Sequence, residues 1–250
     1  MTEWFERWFD ADDYLVAYRK RDERDAARLI DAILERVTAP PDPSALDMAC
    51  GAGRHSLLLA ERGFQVVGVD LSAKLLEAAR ADANKRGLEI EFLRRDLRGL
   101  RLARRFDLAL NAFTSFGYFS TDAENFALFR IAEAHLAEGG TFAFDFMNAA
   151  VVERNLRPLT RDEWRNKRIT HRRRVRNGRV EKTITVEEKG ETREYLESVK
   201  LYRQSELDDA LRSAGFGRVE WLGDYAGAPF RENESPRAIA LCRRGNGQTP

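Results

Sequence analysis

Apolar residues recur at helical spacing early in the chain. Ala26, Leu29, Ile30, Ile33, Leu34 and Val37 share one face of a 3.6-residue repeat, and the first 37 residues as a whole read as helical. Pro40, Pro41 and Pro43 then interrupt any regular element. Beyond them, short apolar runs alternate with helical stretches. The pattern predicts strands at 45–49, 65–70, 90–94, 106–111 and 141–146. Between them it predicts a helix over 54–62 stopped by Gly63, and a second begun by Ser72 as N-cap and carrying Leu75, Leu76 and Ala79. A third opens on the capping-box pair Thr121 and Glu124, carries Phe126, Phe129 and Leu136, and is ended by Gly139-Gly140. Such β–α alternation predicts a parallel sheet with both faces covered.

The rhythm then breaks. Residues 168–203 read as antiparallel strands, and Asn177-Gly178 is a two-residue hairpin signal. That turn sets Val175 opposite Val180, Arg174 opposite Glu181 and Ile169 opposite Val186, all sensible cross-strand partners. Lys189-Gly190 suggests a further turn. Ser205 and Asp208 are expected to cap a helix ending at Gly215, with strands following at 218–222 and 237–242 and a disordered tail at 245–250.

Charge changes this picture little. Lys and Arg number 42 against 41 Asp and Glu, so no global field draws in nucleic acid or an anionic membrane. No apolar run approaches the roughly 20 residues that span a bilayer, and Met1–Tyr14 lacks a basic-then-apolar signal pattern. Cys50 and Cys242 are the two cysteines, and a disulfide at Cys50 would hinder the turn it occupies. A reduced, cytoplasmic protein is the simplest reading. Oligomeric state, monomer or homodimer, is not legible.

Candidate chemistry centres on Asp47-Met-Ala49-Cys50-Gly51-Ala-Gly53, where the first strand passes through a glycine turn into a helix. Glycine permits close approach of a ligand to the backbone, and a helix N-terminus offers free N–H groups. A Gly-x-Gly pair alone also fits an ordinary turn. A dinucleotide fingerprint wants a third glycine three residues on, under a pyrophosphate, and this chain has Ser56 there. Acids also end three successive strands. Asp47 would repel a pyrophosphate but attract an ammonium, or else hold the loop through backbone N–H groups. Asp70 can accept both hydroxyls of a ribose. Asp96 or its neighbouring backbone can meet an adenine amino group, although a surface turn carboxylate is the plainer alternative.

These residues resemble the class I S-adenosylmethionine-dependent methyltransferases. The likeness runs from about Trp4 to Arg243 and rests on Leu46–Gly53, Val67–Ser72, Arg95-Asp96-Leu97, Phe106-Asp107-Leu108 and Leu136–Gly140 in that order. It implies a Rossmann-like α/β fold: a mostly parallel seven-stranded sheet with an antiparallel last strand, and helices on both faces. An N-terminal helical cap (1–44), a cofactor-binding core (45–150), an antiparallel β insertion acting as a substrate lid (151–203), the end of the core sheet (204–244) and the tail complete the division. It also implies that Ala49, Gly51 and Gly53 meet the methionine part of the cofactor, Asp70 and Leu71 the ribose, and Asp96 and Leu97 the adenine. Within the class, the chain is similar to small-molecule enzymes that include amino-sugar N,N-dimethyltransferases and glycine N-methyltransferase-like enzymes. In them an N-terminal segment caps the cofactor, which implicates Tyr14, Tyr18 and Arg21; the bland alternative is a solvated helix face.

Methyl transfer from a sulfonium needs alignment and exclusion of water more than a catalytic triad. The wall after the fourth strand is the expected place: Asn111 as polar candidate, and Phe113, Ser115, Phe116 and Tyr118 as pocket, with Tyr225 from the 224–229 loop. Aromatic faces suit a cation, though each phenylalanine also suits a core. His55 and His135 read as structural, and His171 in the insertion is a weak candidate base. No His/Cys cluster has metal-ligand spacing.

Three competing functions remain. The basic run Arg165, Lys167, Arg168, Arg172, Arg173, Arg174 and Arg176 could meet phosphates of RNA or DNA, or serve a protein substrate. Glutamates on the partner strands favour a mixed-charge hairpin instead. An NAD(P)-dependent reductase lacks the third glycine, and no tyrosine has lysine four residues later. A non-catalytic cofactor-binding module is the third.

Overall fold

A computed structural model of the chain describes residues 3–20 and 23–245. The elements run α1 (Trp4–Phe9), α2 (Asp12–Ala17), α3 (Glu23–Leu34), β1 (Ser44–Met48), α4 (Arg54–Glu61), β2 (Gln65–Asp70), α5 (Ala73–Arg86), β3 (Ile90–Arg94) and β4 (Phe106–Asn111). They continue as α6 (Asp122–His135), β5 (Leu136–Met147), α7 (Ala149–Asn155), β6 (Leu159–Trp164), β7 (Lys167–Arg176), β8 (Arg179–Glu188), β9 (Glu191–Lys200), α8 (Gln204–Ser213), β10 (Phe216–Leu222) and β11 (Arg237–Arg244).

The large sheet has the order β10-β11-β5-β4-β1-β2-β3. β1 to β5 pair in parallel, and β11 runs antiparallel to both β5 and β10. Side chains of a strand alternate between faces, so β5 sends Phe142, Phe144 and Phe146 to one side and Ala143 to the other. The phenylalanines pack with Phe129 of α6 and Leu207 and Leu211 of α8. The opposite face buries Leu29, Ile30 and Ile33 of α3 and Leu58 and Leu59 of α4. Helices on both faces leave the strand ends as the surface where a ligand can sit.

The second sheet, β6-β7-β8-β9, is antiparallel throughout. Its β7–β8 hairpin turns at Asn177-Gly178 with the expected pairs Val175–Val180, Arg174–Glu181 and Ile169–Val186. Ile169, Ile184 and Val186 form a third core with Trp8, Tyr14 and Leu75. The N-terminal segment is thereby clamped between this sheet and the start of α5. Among the described residues no helix is long and apolar enough to cross a membrane.

Several boundaries differ from the periodicity. The N-terminal segment is three short helices, not one continuous stretch. α6 stops at His135, and Leu136 enters β5 directly with extended backbone. Gly139-Gly140 therefore lies within a strand, where the pairing jumps from Phe106–Leu136 to Leu108–Thr141. A Cβ on Gly140 would lie 3.0 Å from the carbonyls of Ala137 and Phe106, so glycine serves the bulge rather than a helix stop. α8 begins after Arg203, whose N–H donates to Glu206 Oε2 at 2.7 Å. Ser205 and Asp208 are inside it. α7 and β6 carry no periodic signal strong enough to predict: α7 buries only Ala149, and β6 is an exposed edge strand. Of the tail expected at 245–250, residues 246–250 lie outside the described residues, as does Arg21.

Candidate active site

A cavity of about 590 Å³ opens at the C-terminal ends of β1 to β4, roofed by α1 and α2 and flanked by the inner face of the small sheet. Its floor is the glycine turn. Ala49, Gly51 and Gly53 all have positive φ, at 59°, 57° and 79°. Gly51 lines the cavity, and a Cβ there would meet nothing nearer than Leu75 Cδ1 at 3.9 Å. Gly53 sits beneath. A Cβ on it would lie 2.9 Å from Ala79 Cβ and 3.1 Å from Phe92 Cζ, so this glycine lets α4 start hard against α5 and β3.

The three strand-end acids occupy three different environments. Asp70 lines the cavity, its Oδ2 accepting from the Gly51 N–H and its Oδ1 from the Ser72 N–H, both at 2.8 Å. Burial pushes its carboxyl up, against those amide bonds. Asp96 also lines the cavity. Burial opposes its ionisation, but Arg98 outweighs this through its backbone N–H and a guanidinium contact at 2.6 Å, holding the carboxyl below its usual range. Asp47 is not among the lining residues. It is 1% exposed, Ser56 Oγ donates to it at 2.6 Å, and burial pushes it up to about 7. Ser56, noticed only as a missing glycine, is the partner that Asp47 requires. Asp47 thereby anchors α4 under the turn.

Leu71 and Leu97 line the cavity beside Asp70 and Asp96. Asn111 does not: it is fully buried, and its Nδ2 donates to Met48 O at 2.8 Å and Ser115 O at 3.3 Å, clipping the end of β1 to the turn after β4. Phe113, Ser115, Phe116 and Tyr118 line one wall of the cavity. Phe116 is also core, stacked on Phe129 at 5.0 Å. The Arg54 guanidinium lies 4.0 Å from the centre of the Phe113 ring. Tyr225 stands behind the wall, stacked on Phe113 at 5.5 Å, and is not among the lining residues.

Tyr14 and Tyr18 reach the cavity from α2 and its C-terminal end. Tyr18 Oη donates to Glu197 and accepts from Lys182 Nζ, and Trp8 Nε1 donates to Glu197 Oε1 at 2.7 Å. Arg173, Lys182 and Glu197 are one cross-strand rung of the small sheet, and all three line the cavity. The mixed-charge hairpin expected for the basic run at 165–176 does not by itself single them out. The hairpin register contains the signal, because Ile169 facing inward puts Arg173 inward as well.

His171, one residue pair along the same face, is not among the lining residues. Burial first, then the Lys182 and Arg173 charges, push it down to about 4, so it is neutral at pH 7 and a poor match for a base working there. Its Nδ1 is buried with no hydrogen-bond partner among the described residues. His55 is the second residue of α4, and His135 Nε2 accepts from the Leu102 N–H. The basic run is split by the pleat. Arg168 and Arg174 pair with Glu187 and Glu181 on the outer face, whereas Lys167 and Arg173 turn inward.

Asp13 fastens the roof. Only 2% exposed, it takes Arg193 Nε at 2.7 Å, Lys167 Nζ at 2.7 Å and Tyr195 Oη at 2.9 Å. Burial opposes its ionisation, but those three partners hold it down at about 2.

A glycine turn tied to the acid ending β2, a second acid after β3, an apolar slot between them and aromatic walls fit a nucleoside joined to an amino-acid sulfonium. With this strand order and antiparallel β11, they define the class of Rossmann-like methyltransferases. A methyltransferase domain model matches residues 45–140. Over 228 residues the chain is 32% identical to the dTDP-3-amino-3,4,6-trideoxy-alpha-D-glucopyranose N,N-dimethyltransferase of Streptomyces venezuelae, covering 85% of this chain and 91% of the relative. It is 27% identical over 209 residues to the cypemycin N-terminal methyltransferase of a Streptomyces species, covering 80% and 83%. The structure of the CcbJ methyltransferase from Streptomyces caelestis superposes with a TM-score of 0.80 at 20% identity, over 96% of this chain and 98% of that one, and so shares its fold. The chain belongs to the S-adenosylmethionine-dependent methyltransferases.

Proposed function

We propose that this methyltransferase moves the methyl group of S-adenosylmethionine to the nitrogen of a small amine, an amino sugar being the class its relatives favour. The observation carrying this reading is the lining of the acceptor side. α1, α2 and the Arg173–Lys182–Glu197 rung share with the wall at Phe113–Tyr118 one cavity of about 590 Å³, the scale of a small-molecule site. We read residues 151–203 accordingly as the substrate lid, and 1–44 as the cap over the cofactor. Two relatives, an amino-sugar N,N-dimethyltransferase and the cypemycin N-terminal methyltransferase, align over most of the chain.

The cofactor supplies an electrophilic methyl on a sulfonium. Asp70 and the Gly51 turn would hold its ribose and amino-acid parts, Leu71 and Leu97 its base, and Tyr14 and Tyr18 would cover it. The acceptor side does the rest by alignment and desolvation. Glu197, already accepting from Tyr18 and Trp8, is placed to take an N–H from an amine and aim its lone pair. An amine carries that lone pair once its proton is lost to solvent, so the low basicity of His171 is no obstacle. Two reduced, buried cysteines suit the cytoplasm as the place of work.

Calorimetry with S-adenosylmethionine, its demethylated product and NADH tests the cofactor. Binding of NADH but of neither sulfur ligand would overturn it. Mass spectrometry of products from a panel of amino sugars, peptide N-terminal amines, hydroxylated analogues and RNA tests the acceptor; methylation of RNA or of hydroxyls alone would reject the amine reading.

A further inference from the structure

The turn after β4 holds two consecutive non-glycine residues in the left-handed region, Phe113 at φ 55° and Thr114 at φ 68°. Side chains disfavour that region, and such conformations persist only where the surroundings over-determine them. Both residues line the cavity. Their surroundings converge on one side chain. Asp145 of β5 is 1% exposed; its Oδ2 accepts from the Phe113 N–H at 2.8 Å, and its main-chain oxygen accepts from the Thr114 N–H at 3.1 Å. The Arg237 Nε of β11 donates to Asp145 Oδ1 at 2.8 Å, and its Nη2 donates to Thr114 Oγ1 at 3.0 Å. Tyr225 Oη donates to Asp145 Oδ2 at 3.2 Å while its ring backs Phe113.

We propose that Asp145, braced by Arg237, is a positioning residue for methyl transfer: it pins Phe113 and Thr114 in their strained turn and so sets the wall against which the acceptor lies. This rests on the reading of that wall as the acceptor side. Asp145 is not among the residues lining this cavity and acts through the turn. A carboxylate is required because both of its oxygens meet donors. An amide in its place must aim an NH2 at either the Phe113 N–H or the Arg237 guanidinium. The cofactor contacts at Gly51, Asp70 and Asp96 lie on other strand ends and are untouched by the change. The expected effect is therefore on alignment rather than on cofactor affinity.

The test uses Asp145→Asn in the full chain. We expect kcat to fall about a hundredfold, the cost of a misplaced reacting group, with the Kd for the demethylated cofactor product changed less than about threefold, within ordinary context scatter. Amide exchange at residues 113 and 114 should accelerate. Thr114→Gly added to Asp145→Asn should recover part of kcat, because glycine takes the left-handed conformation without support. Arg237→Lys keeps the charge but loses the fork. It should give a smaller kcat loss with the same exchange signature, and it decides the matter if Asp145→Asn does not fold. A lowered urea midpoint with kcat and exchange at 113–114 unchanged would make Asp145 merely structural and overturn the proposal. Faster exchange with unchanged kcat would overturn it too. If the wild-type chain methylates no amine, the acceptor reading fails; unchanged exchange rates at 113 and 114 would then overturn the pinning separately.

Discussion

The two glycines of the β1–α4 turn have similar backbone angles and different duties, which a pair of substitutions can separate. Gly51→Ala and Gly53→Ala each force an alanine into left-handed backbone, costing about 1–2 kcal/mol. Ala49 already sits at φ 59° in the same turn, so the turn tolerates a methyl group where there is space. Space is what differs. The new Cβ at 51 finds only Leu75 Cδ1 at 3.9 Å, whereas at 53 it meets Ala79 Cβ at 2.9 Å and Phe92 Cζ at 3.1 Å. Both neighbours at 53 belong to the buried core of α5 and β3, where overpacking adds about 1–3 kcal/mol. Gly53→Ala should therefore lose about 2–5 kcal/mol and Gly51→Ala about 1–2 kcal/mol. With a urea slope of about 3 kcal/mol per molar, the midpoints fall by roughly 1 M and roughly 0.5 M. Affinity should reverse the order. Gly51 lines the cavity and its Cβ would occupy ligand space, so calorimetry with the demethylated cofactor should show at least about a tenfold weaker Kd, or 1.4 kcal/mol. Gly53→Ala, measured where it is fully folded, should bind within about threefold of wild type. Equal stability losses, or an unchanged Kd in Gly51→Ala, would refute the division.

Asp70→Ala removes a charged acceptor from two backbone amides and from the ribose site, and should weaken cofactor binding by about 1.5–3 kcal/mol; unchanged affinity in calorimetry would show that the strand-end assignment is wrong. Asp47, pushed up to about 7 by burial, is protonated in the folded chain and ionised in the unfolded one between pH 4 and 7. Its contribution is therefore most favourable near pH 4 and declines as pH rises to 7. Asp47→Asn should gain urea midpoint relative to wild type over that interval and hold a constant difference above it. Asp13 behaves oppositely: held at about 2, its stabilisation is full above the usual carboxylate range and disappears as pH falls through 2. Asp13→Asn should cost about 2–4 kcal/mol at pH 7, discounted from a fully buried pair because Arg193 is a third exposed, and should speed amide exchange over α2. Tyr18→Ala, with circular dichroism unchanged, should weaken the demethylated cofactor about tenfold or more if the cap covers it.

The fold was legible where local chemistry and packing agree. Val67, Val69 and the neighbouring residues of β2 can only be a buried strand, Asn177-Gly178 can only be a tight hairpin, and Thr121 with Glu124 caps α6 as the pattern requires. It was not legible where tertiary contacts override a local signal. Gly139-Gly140 looks like a helix stop, yet Leu136 gains more by entering the core fully buried than by extending α6, so the glycines end up inside β5. α7 and β6 bury too little of their own surface to leave a periodic trace.

The site shows the same division at the level of single charges. In the sequence Asp47, Asp70 and Asp96 are equivalent: one acid at the end of each of three neighbouring strands. Their roles follow from what each carboxylate meets after folding, and only Asp70 meets the backbone of the glycine turn from inside the cavity. Asp47 is tied to a side chain nine residues on, Asp96 is paired with an arginine two residues on, and neither partner lies at a strand end itself. The charged rung of the small sheet was illegible for a related reason. Arg173, Lys182 and Glu197 stand among many charges of the hairpin, and only the pleat decides which of those face the cavity and which neutralise one another outside. A motif of small residues can locate a cofactor, because the backbone must be bare where a ligand approaches it. The side chains that line the proposed acceptor side have neighbours from α1, α2, β7, β8 and β9 at once, and no local window of sequence contains that set.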